Sequence, residues 1–367
     1  MNTLYIHIPF CAQKCFYCSF VVSIGQEHHV DLYIDCLKME AQRYQGEILK
    51  SIYIGGGTPT LISEKQLQRI FQIIHRHFQL SSDIEWTIEA NPEGLDLSKL
   101  RFLKGEGINR ISLGVQSLND KYLKILGRNH DSLTAVKAFD QIRIAGFDNV
   151  NVDLMFSFPN QTMDELKKDV TALIQLGSEH LSLYTLTIEE NSKFYGQNIQ
   201  LQDDCDQAQQ YLYVCDCLKE QGFEQYEVSN FSKPTKASQH NLNYWKGGYY
   251  IGLGIGAHSH SRVKRSWNIS KLNEYMSRME KGLSVEEGSE RLTSYNRMKE
   301  VVLFGLRMNC GVNIKEITER FDCFLGDEQQ KKIVQFIEGG LLIEDGDILK
   351  TSIKGRLVLD EICAQLV

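Results

Sequence analysis

No stretch of this chain is apolar for long enough to cross a bilayer, and no N-terminal segment couples a basic start to a long apolar run. Neither a membrane span nor a secretory leader is therefore expected. Basic surface is also missing: 40 Lys and Arg face 47 Asp and Glu, giving a net charge of -7 and an isoelectric point near 5.9. A surface that coats nucleic acid or an anionic membrane needs the opposite balance. Small molecules and proteins are the expected partners, with no nucleic acid among them. With no leader expected, the 10 cysteines read as free thiols of a reducing, cytoplasmic compartment. A chain of 367 residues with 42% hydrophobic content can bury a large core and calls for more than one domain.

Against those absences stands one dense feature, the segment Cys11 to Cys18, CAQKCFYC, directly after the apolar run Leu4 to Phe10. Cys11, Cys15 and Cys18 look like a metal loop following a strand. A 4Fe-4S cluster takes four thiolate ligands. Three leave one iron open, where a ligand can bind and react. Zinc is the main competitor; it needs a fourth ligand, and His7 lies on the strand rather than in the loop. Cys36, Cys205, Cys215, Cys217, Cys310, Cys323 and Cys363 are scattered, and core filling is their expected role.

Short apolar runs alternate with amphipathic ones up to about residue 190, the pattern of a parallel sheet with crossover helices. Strands are expected at Leu4–Ile8, Ser51–Ile54, Ile84–Ala90, Arg110–Val115, Asn149–Phe156 and His180–Thr185. Helical spacing fills Val30–Tyr44, Lys65–Phe78, Leu97–Lys104, Leu133–Ala145 and Met163–Leu176. Such units predict an α/β fold, a partial (β/α)6 barrel over residues 1–200, with functional groups at the C-terminal strand ends. Polar or glycine-rich signals follow these strands: GGGTPT at Gly55–Thr60, EANPE at Glu89–Glu93, GVQS at Gly114–Ser117, GRNHD at Gly127–Asp131, and Asp153 inside an apolar run. Glycines let backbone approach a ligand and present N–H groups. Glu89, Gln116, Arg128 and Asp153 are expected to converge at the barrel mouth.

CxxxCxxC after a first strand resembles the radical S-adenosylmethionine (SAM) superfamily. That resemblance implies SAM chelated to the open iron and cleaved by one electron to methionine and a deoxyadenosyl radical. The segments YIHIPFC, GGGTPT, EANPE, GVQS, GRNHD and DLMFSFPNQT are similar to the oxygen-independent coproporphyrinogen III oxidase-like group, over essentially the whole chain. It implies that Tyr5, Gly56, Gly57 and Thr58 hold the amino acid end of S-adenosyl-L-methionine. Glu89, Gln116, Arg128 and Asp153 would then hold its ribose, carboxylate and neighbouring polar groups, which suits carboxylates that accept from hydroxyls and an arginine fork that matches a carboxylate. The group more often carries glycine and leucine where Ser157 and Phe158 stand, a departure read as a packing variation.

Past residue 200 the pattern changes. A helix is expected over Asp203–Gln221 and added sheet at Tyr226–Phe231, and HNLNYW at His240–Trp245 precedes glycines and His258. HNxxYW resembles HemW-type haem chaperones, which implies that His240 helps hold haem; His258 and His260 remain competing ligands. Residues 201–283 read as a barrel extension and 284–367 as a small, mostly helical, winged-helix-like cap. This cap carries 11 Lys and Arg against 15 Asp and Glu, a poor surface for phosphates. The decarboxylating oxidases carry a fourth cysteine where Phe20 stands and a sizeable extension before the cluster loop, whereas only ten residues precede Cys11. The expected function is a haem chaperone with a cluster and SAM site, served by an electron donor and handing haem to an acceptor protein, membrane-bound or free. Coproporphyrinogen oxidation is the alternative, and no catalytic residue is assigned.

Overall fold

The apolar run that opens the chain becomes strand β1 (Asn2–Ile8) in the computed structural model, which describes residues 2–366. The cysteine loop follows at once, tied off by a short parallel pairing of β2 (Phe10–Cys11) with β3 (Ser23–Ile24). Helix α1 (Val30–Ala41) leads to β4 (Ile48–Gly56), α2 (Glu64–His77) to β5 (Gln79–Ala90), and α3 (Leu97–Gly105) to β6 (Arg110–Gln116). Helices α4 (Asp120–Leu126) and α5 (Ser132–Ile144) lead to β7 (Val150–Phe156), and α6 (Met163–Gln175) to β8 (His180–Thr185). These six strands lie parallel in the order β1-β4-β5-β6-β7-β8. This is the α/β arrangement expected of a partial barrel.

Polar residues at the helix starts fix where the chain turns. Ser63 with Gln66 and Thr162 with Glu165 form reciprocal capping boxes on α2 and α6, while Asp96 and Asp131 cap α3 and α5. Each satisfies backbone donors that the first turn leaves open. The helices' apolar faces and the sheet bury one large core that includes Trp86, Phe71, Phe139 and the apolar residues Ile111, Leu113 and Val115 of β6, a strand buried at every position. Such a central strand has side chains covered on both faces, as parallel sheets require.

The sheet does not close. Beyond α7 (Asp204–Glu220), a hairpin of β9 (Glu224–Glu227) and β10 (Asn230–Ser232) pairs antiparallel to β8. Sequence reading places one strand over Tyr226–Phe231, but the chain reverses at Val228–Ser229 without the glycine or proline that usually marks a turn. At the opposite edge, after α8 (Gln239–Trp245), β11 (Tyr250–Leu253) adds parallel to β1. Strands β12 (His258–His260), β13 (Lys264–Asn268) and β14 (Glu286–Arg291) then extend it antiparallel, with α9 (Leu272–Glu280) between the last two. Buried Glu40 of α1 clamps this extension, accepting from Gly254 N–H at 2.9 Å, Asn268 Nδ2 at 2.6 Å and the Tyr275 hydroxyl at 2.7 Å.

A second core forms in the C-terminal region. It joins α10 (Ser294–Arg307), β15 (Val312–Asn313), α11 (Ile314–Phe321), α12 (Asp327–Glu338), β16 (Leu342–Asp345), β17 (Ile348–Thr351), α13 (Ile353–Leu357) and α14 (Leu359–Leu366). Its three strands pair in the order β15-β17-β16, giving the helices and small wing expected of the cap. A bridge from Met308 to Glu227 of β9 joins it to the sheet edge, and Arg356 donates to Gln225 Oε1 at 2.6 Å. Among the described residues, no helix is long and apolar enough to cross a membrane.

Candidate functional site

The loop from Cys11 to Cys18 is pinned at several points. Phe16 N–H donates to the Leu126 carbonyl at 2.9 Å, Phe194 N–H donates to the Phe16 carbonyl at 3.0 Å, and Gln13 Nε2 donates to the Gly127 carbonyl at 2.6 Å. The Phe16 ring lies so close to Gly127 that a β-carbon there would sit 2.9 Å from it. Cys11, Cys15 and Cys18 all face one small cavity of about 110 Å³, which they share with Gly56, Gly57, Thr58, Glu89, Gln116, Arg128 and Asp153. The structure thus brings together the three thiols and the polar residues singled out at the strand ends. Register explains the convergence, because Glu89 lies opposite Ser112 on the neighbouring strand and Gly114 opposite Asp153.

Burial pushes the Cys11 thiol up to about 11, although the Thr58 hydroxyl at 3.3 Å favours the thiolate, and it raises Cys18 as well. Without a cation these thiols stay protonated near neutral pH, so metal uptake would release protons. The donor set fits an iron-sulfur cluster: soft sulfur ligands in a sheltered loop beside a glycine-rich backbone. Among the described residues no three His, Cys, Asp or Glu side chains converge as a single-ion site, a geometry that one thiolate per iron does not require.

The Gly55–Gly57 turn has no room for side chains. A β-carbon at Gly56, where φ is +114°, would lie 2.6 Å from the His7 ring, and one at Gly57 would lie 2.7 Å from the Phe10 carbonyl. The N–H groups expected to face a ligand are engaged inside the protein. Gly56 N–H donates to Glu89 Oε2 at 3.0 Å, Gly57 N–H to Ile8 O at 2.8 Å and Thr58 N–H to Phe10 O at 2.9 Å. What this turn can offer an ammonium group is acceptors, the Thr58 hydroxyl among them.

Glu89 also accepts from the Tyr53 hydroxyl at 2.8 Å, and burial raises its carboxyl to about 7. Asp153 is likewise raised by burial, partly offset by Asn151 Nδ2 at 2.7 Å. Burial works against the Arg128 charge, but Tyr17, Cys15 and Glu93 around it raise its pKa. Its Nη2 donates to Asn91 Oδ1 at 2.9 Å and Gly114 O at 2.6 Å, and Nη1 lies 3.6 Å from Cys15 Sγ. Gln116 sits at φ +72°, in the left-handed region, at a register slip between β6 and β7. Such strain in a side chain other than glycine gathers at ligand sites.

Two larger cavities adjoin this one through Phe20, which borders all three and is 65% exposed. One, of about 520 Å³, runs inside the sheet between Tyr17, Asp153, Ser182 and Tyr184 to Arg110 at 1% exposure. The other, of about 510 Å³, is lined by Tyr5, Tyr53, His240, Tyr244 and His258. Tyr5 therefore lies beside the thiol cavity rather than on it, its hydroxyl 2.9 Å from His7 Nδ1. His240, at 1% exposure, has both ring nitrogens engaged: Nδ1 with Ser51 Oγ at 2.9 Å and Nε2 with the Tyr244 hydroxyl at 3.0 Å. Burial, with Arg110 nearby, lowers its pKa to about 3.

Asn91, which links Thr58 at 3.1 Å to Arg128, escapes notice in the sequence despite its place in EANPE, and so does Arg110. The Ser157 departure is a backbone matter as well as packing. Its φ of +58° is one that glycine adopts freely, and Ser157 Oγ donates to Gln210 Oε1 at 2.8 Å. Phe158 stacks on Tyr122 at 4.5 Å.

Comparison with known proteins gives two family matches, the radical SAM superfamily over residues 5–173 and the HemN C-terminal domain over residues 292–358. The chain is 35% identical to heme chaperone HemW of Bacillus subtilis strain 168, over 99% of this chain and 98% of that one. It is 34% identical to heme chaperone HemW of Lactococcus lactis, over 96% and 94%. The coproporphyrinogen III oxidase HemN of Escherichia coli, a radical SAM enzyme, shares the fold with a TM-score of 0.88 at 24% identity, over 100% of this chain and 90% of that chain.

Proposed function

Since this chain belongs to the HemW family of the radical SAM superfamily, we propose that it is a haem chaperone that binds a 4Fe-4S cluster, SAM and haem and passes haem to an acceptor protein. The observation that carries the reading is the cavity where three thiols meet Glu89, Gln116, Arg128 and Asp153 in a chain similar over its whole length to heme chaperones. Cys11, Cys15 and Cys18 would hold the cluster. A cluster held there and reduced by an electron donor would supply one-electron chemistry to bound SAM. Arg128 offers a fixed guanidinium for the SAM carboxylate, and ionised Glu89 and Asp153 accept from ribose hydroxyls. Thr58 and the adjoining turn accept from the amino group, and Tyr5 shapes the neighbouring cavity. Free thiols for a cluster suit a reducing, cytoplasmic setting. His240 contributes to the haem-binding segment by holding Tyr244 in place.

Coproporphyrinogen oxidation is the second reading, favoured by the shared oxidase fold. Against it, exposed Phe20 stands at the cavity junction where those oxidases carry a further cysteine. Protein reconstituted without oxygen, given SAM, a reductant and coproporphyrinogen III, is expected to yield no protoporphyrinogen; formation of that product overturns the chaperone reading. Cys11→Ser, Cys15→Ser and Cys18→Ser are each expected to lose the iron-sulfur absorption, and a variant that keeps it removes that cysteine from the ligand set.

A further inference from the structure

Between the antiparallel extension and the C-terminal region lies a cavity of about 400 Å³, distinct from the thiol site. Its walls are Tyr244 and Trp245 of α8, Tyr250 of β11, Trp267 of β13 and Phe304 of α10. Both histidines of β12 line it. Flat aromatic walls suit a planar macrocycle, the charged side chains beside them suit its carboxylates, and the volume falls in the usual ligand-pocket range of about 300–1,000 Å³.

His260 is the group there that lacks a partner. The residue is 8% exposed. Nδ1 lies 3.2 Å from the Gly248 carbonyl, and a carbonyl only accepts, so Nδ1 carries the proton and Nε2 keeps its lone pair. Buried Nε2 has no hydrogen-bond partner among the described residues. A ring nitrogen that donates to backbone while the other presents a free lone pair is the arrangement of metal-ligating histidines, and an unpaired buried acceptor calls for an explanation.

His240 has the opposite character, with both ring nitrogens engaged. It reaches the cavity only through Tyr244, which it holds by a hydrogen bond. His258, exposed and stacked on Trp267 at 5.9 Å, stands where this cavity adjoins the one lined by Tyr5 and Glu89. The charges around the cavity divide unequally. Arg265 is paired with Glu290 at 3.1 Å and Glu300 at 2.6 Å, whereas Arg297 lies between the Tyr249 and Phe321 rings and meets the Tyr249 hydroxyl at 3.2 Å rather than a carboxylate. Arg297 can therefore take an anionic side chain of the macrocycle.

We propose that His260 is the axial ligand to the haem iron, in the cavity walled by Tyr244, Trp245, Tyr250, Trp267 and Phe304, with Arg297 facing a haem carboxylate. The inference rests on the haem-carrying reading above. The test is titration of full-length protein with ferric protoporphyrin IX, read by its optical spectrum and affinity, on wild type, His260→Ala, His260→Cys and His240→Ala. His260→Ala is expected to lose the histidine-ligated spectrum and to bind about tenfold or more weakly. His260→Cys, a variant that keeps a ligand in place, is expected to shift the spectrum to that of thiolate ligation. His240→Ala, which removes the support of the wall residue Tyr244 but not the ligand, is expected to bind haem more weakly with a spectrum that is still histidine-ligated. A wild-type spectrum and affinity in both His260 variants overturn the assignment while leaving haem carriage intact. Wild type that binds no haem overturns both.

Discussion

Glu89 accepts bonds from Tyr53 and from Gly56 N–H, yet burial raises its carboxyl from the ordinary 4.5 to about 7. A raised carboxyl stabilises the fold only while it is protonated. That contribution is complete below pH 4.5 and is lost as pH rises from 4.5 through 7, by about 3 kcal/mol for a shift of this size. In protein without SAM, Glu89→Gln is expected to remove this part of the pH dependence, so that unfolding free energy measured at pH 5 and pH 8 differs less in the variant than in wild type. Carboxylate acceptance from a ribose requires the ionised form, so SAM affinity is expected to rise with pH over the same window and to be poor in Glu89→Gln. Residues at this scale were legible where a polar residue type interrupted or ended a strand, as for Glu89, Gln116 and Asp153, or stood in a glycine-bearing loop, as for Arg128. Tyr5 could not be assigned to one cavity or the other, because neighbouring hollows divide at Phe20, a boundary only the folded chain creates. Asn91 and Arg110 act through partners distant in sequence, and nothing local in the chain marks them.

Helix α8 shows how an element too short to be stable alone is held. Its N-terminus rests on the buried carboxylate of Glu85, which accepts from Gln239 N–H at 2.9 Å, His240 N–H at 2.9 Å and Ser238 Oγ at 3.2 Å. An anion on the first turn satisfies open donors and opposes the helix dipole. Glu85→Ala is expected to destabilise the protein by about 3 kcal/mol, since hydrogen bonds to charged groups are the strong ones. Hydrogen exchange should then quicken over residues 239–245 more than in β6, and uniform protection across both would refute the anchoring. The six parallel strands were legible because each couples an apolar run to a periodic helix. Strands β12, β13 and β14 were not, since their half-exposed, charged residues carry no alternating pattern. They exist because β11 extends the sheet and Glu40 secures the chain beyond it through Gly254, Asn268 and Tyr275.

For the whole molecule, the cysteine loop and the aromatic cavity lie on different parts of the fold, and the second depends on how the C-terminal region sits. Arg265 of β13 meets Glu300 of α10 at 2.6 Å, and Arg320 donates to the Lys246 and Gly247 carbonyls, each at 3.4 Å. Glu300→Lys places two cations together across that junction. It is expected to cost about 1 kcal/mol in stability, the scale of a partly exposed pair. It should weaken haem binding while leaving the iron-sulfur absorption of reconstituted protein unchanged, and a parallel loss of both would show that the two sites are not separable. The open sheet also leaves two borders to protect. One end, β9, is bridged by the C-terminal region, but β14 is the last strand at the other. Its residues, Glu-Glu-Gly-Ser-Glu-Arg, are mostly exposed and charged, and ionic side chains along a free border discourage strand-to-strand adhesion. Crowded neighbours therefore find no template there for filament growth.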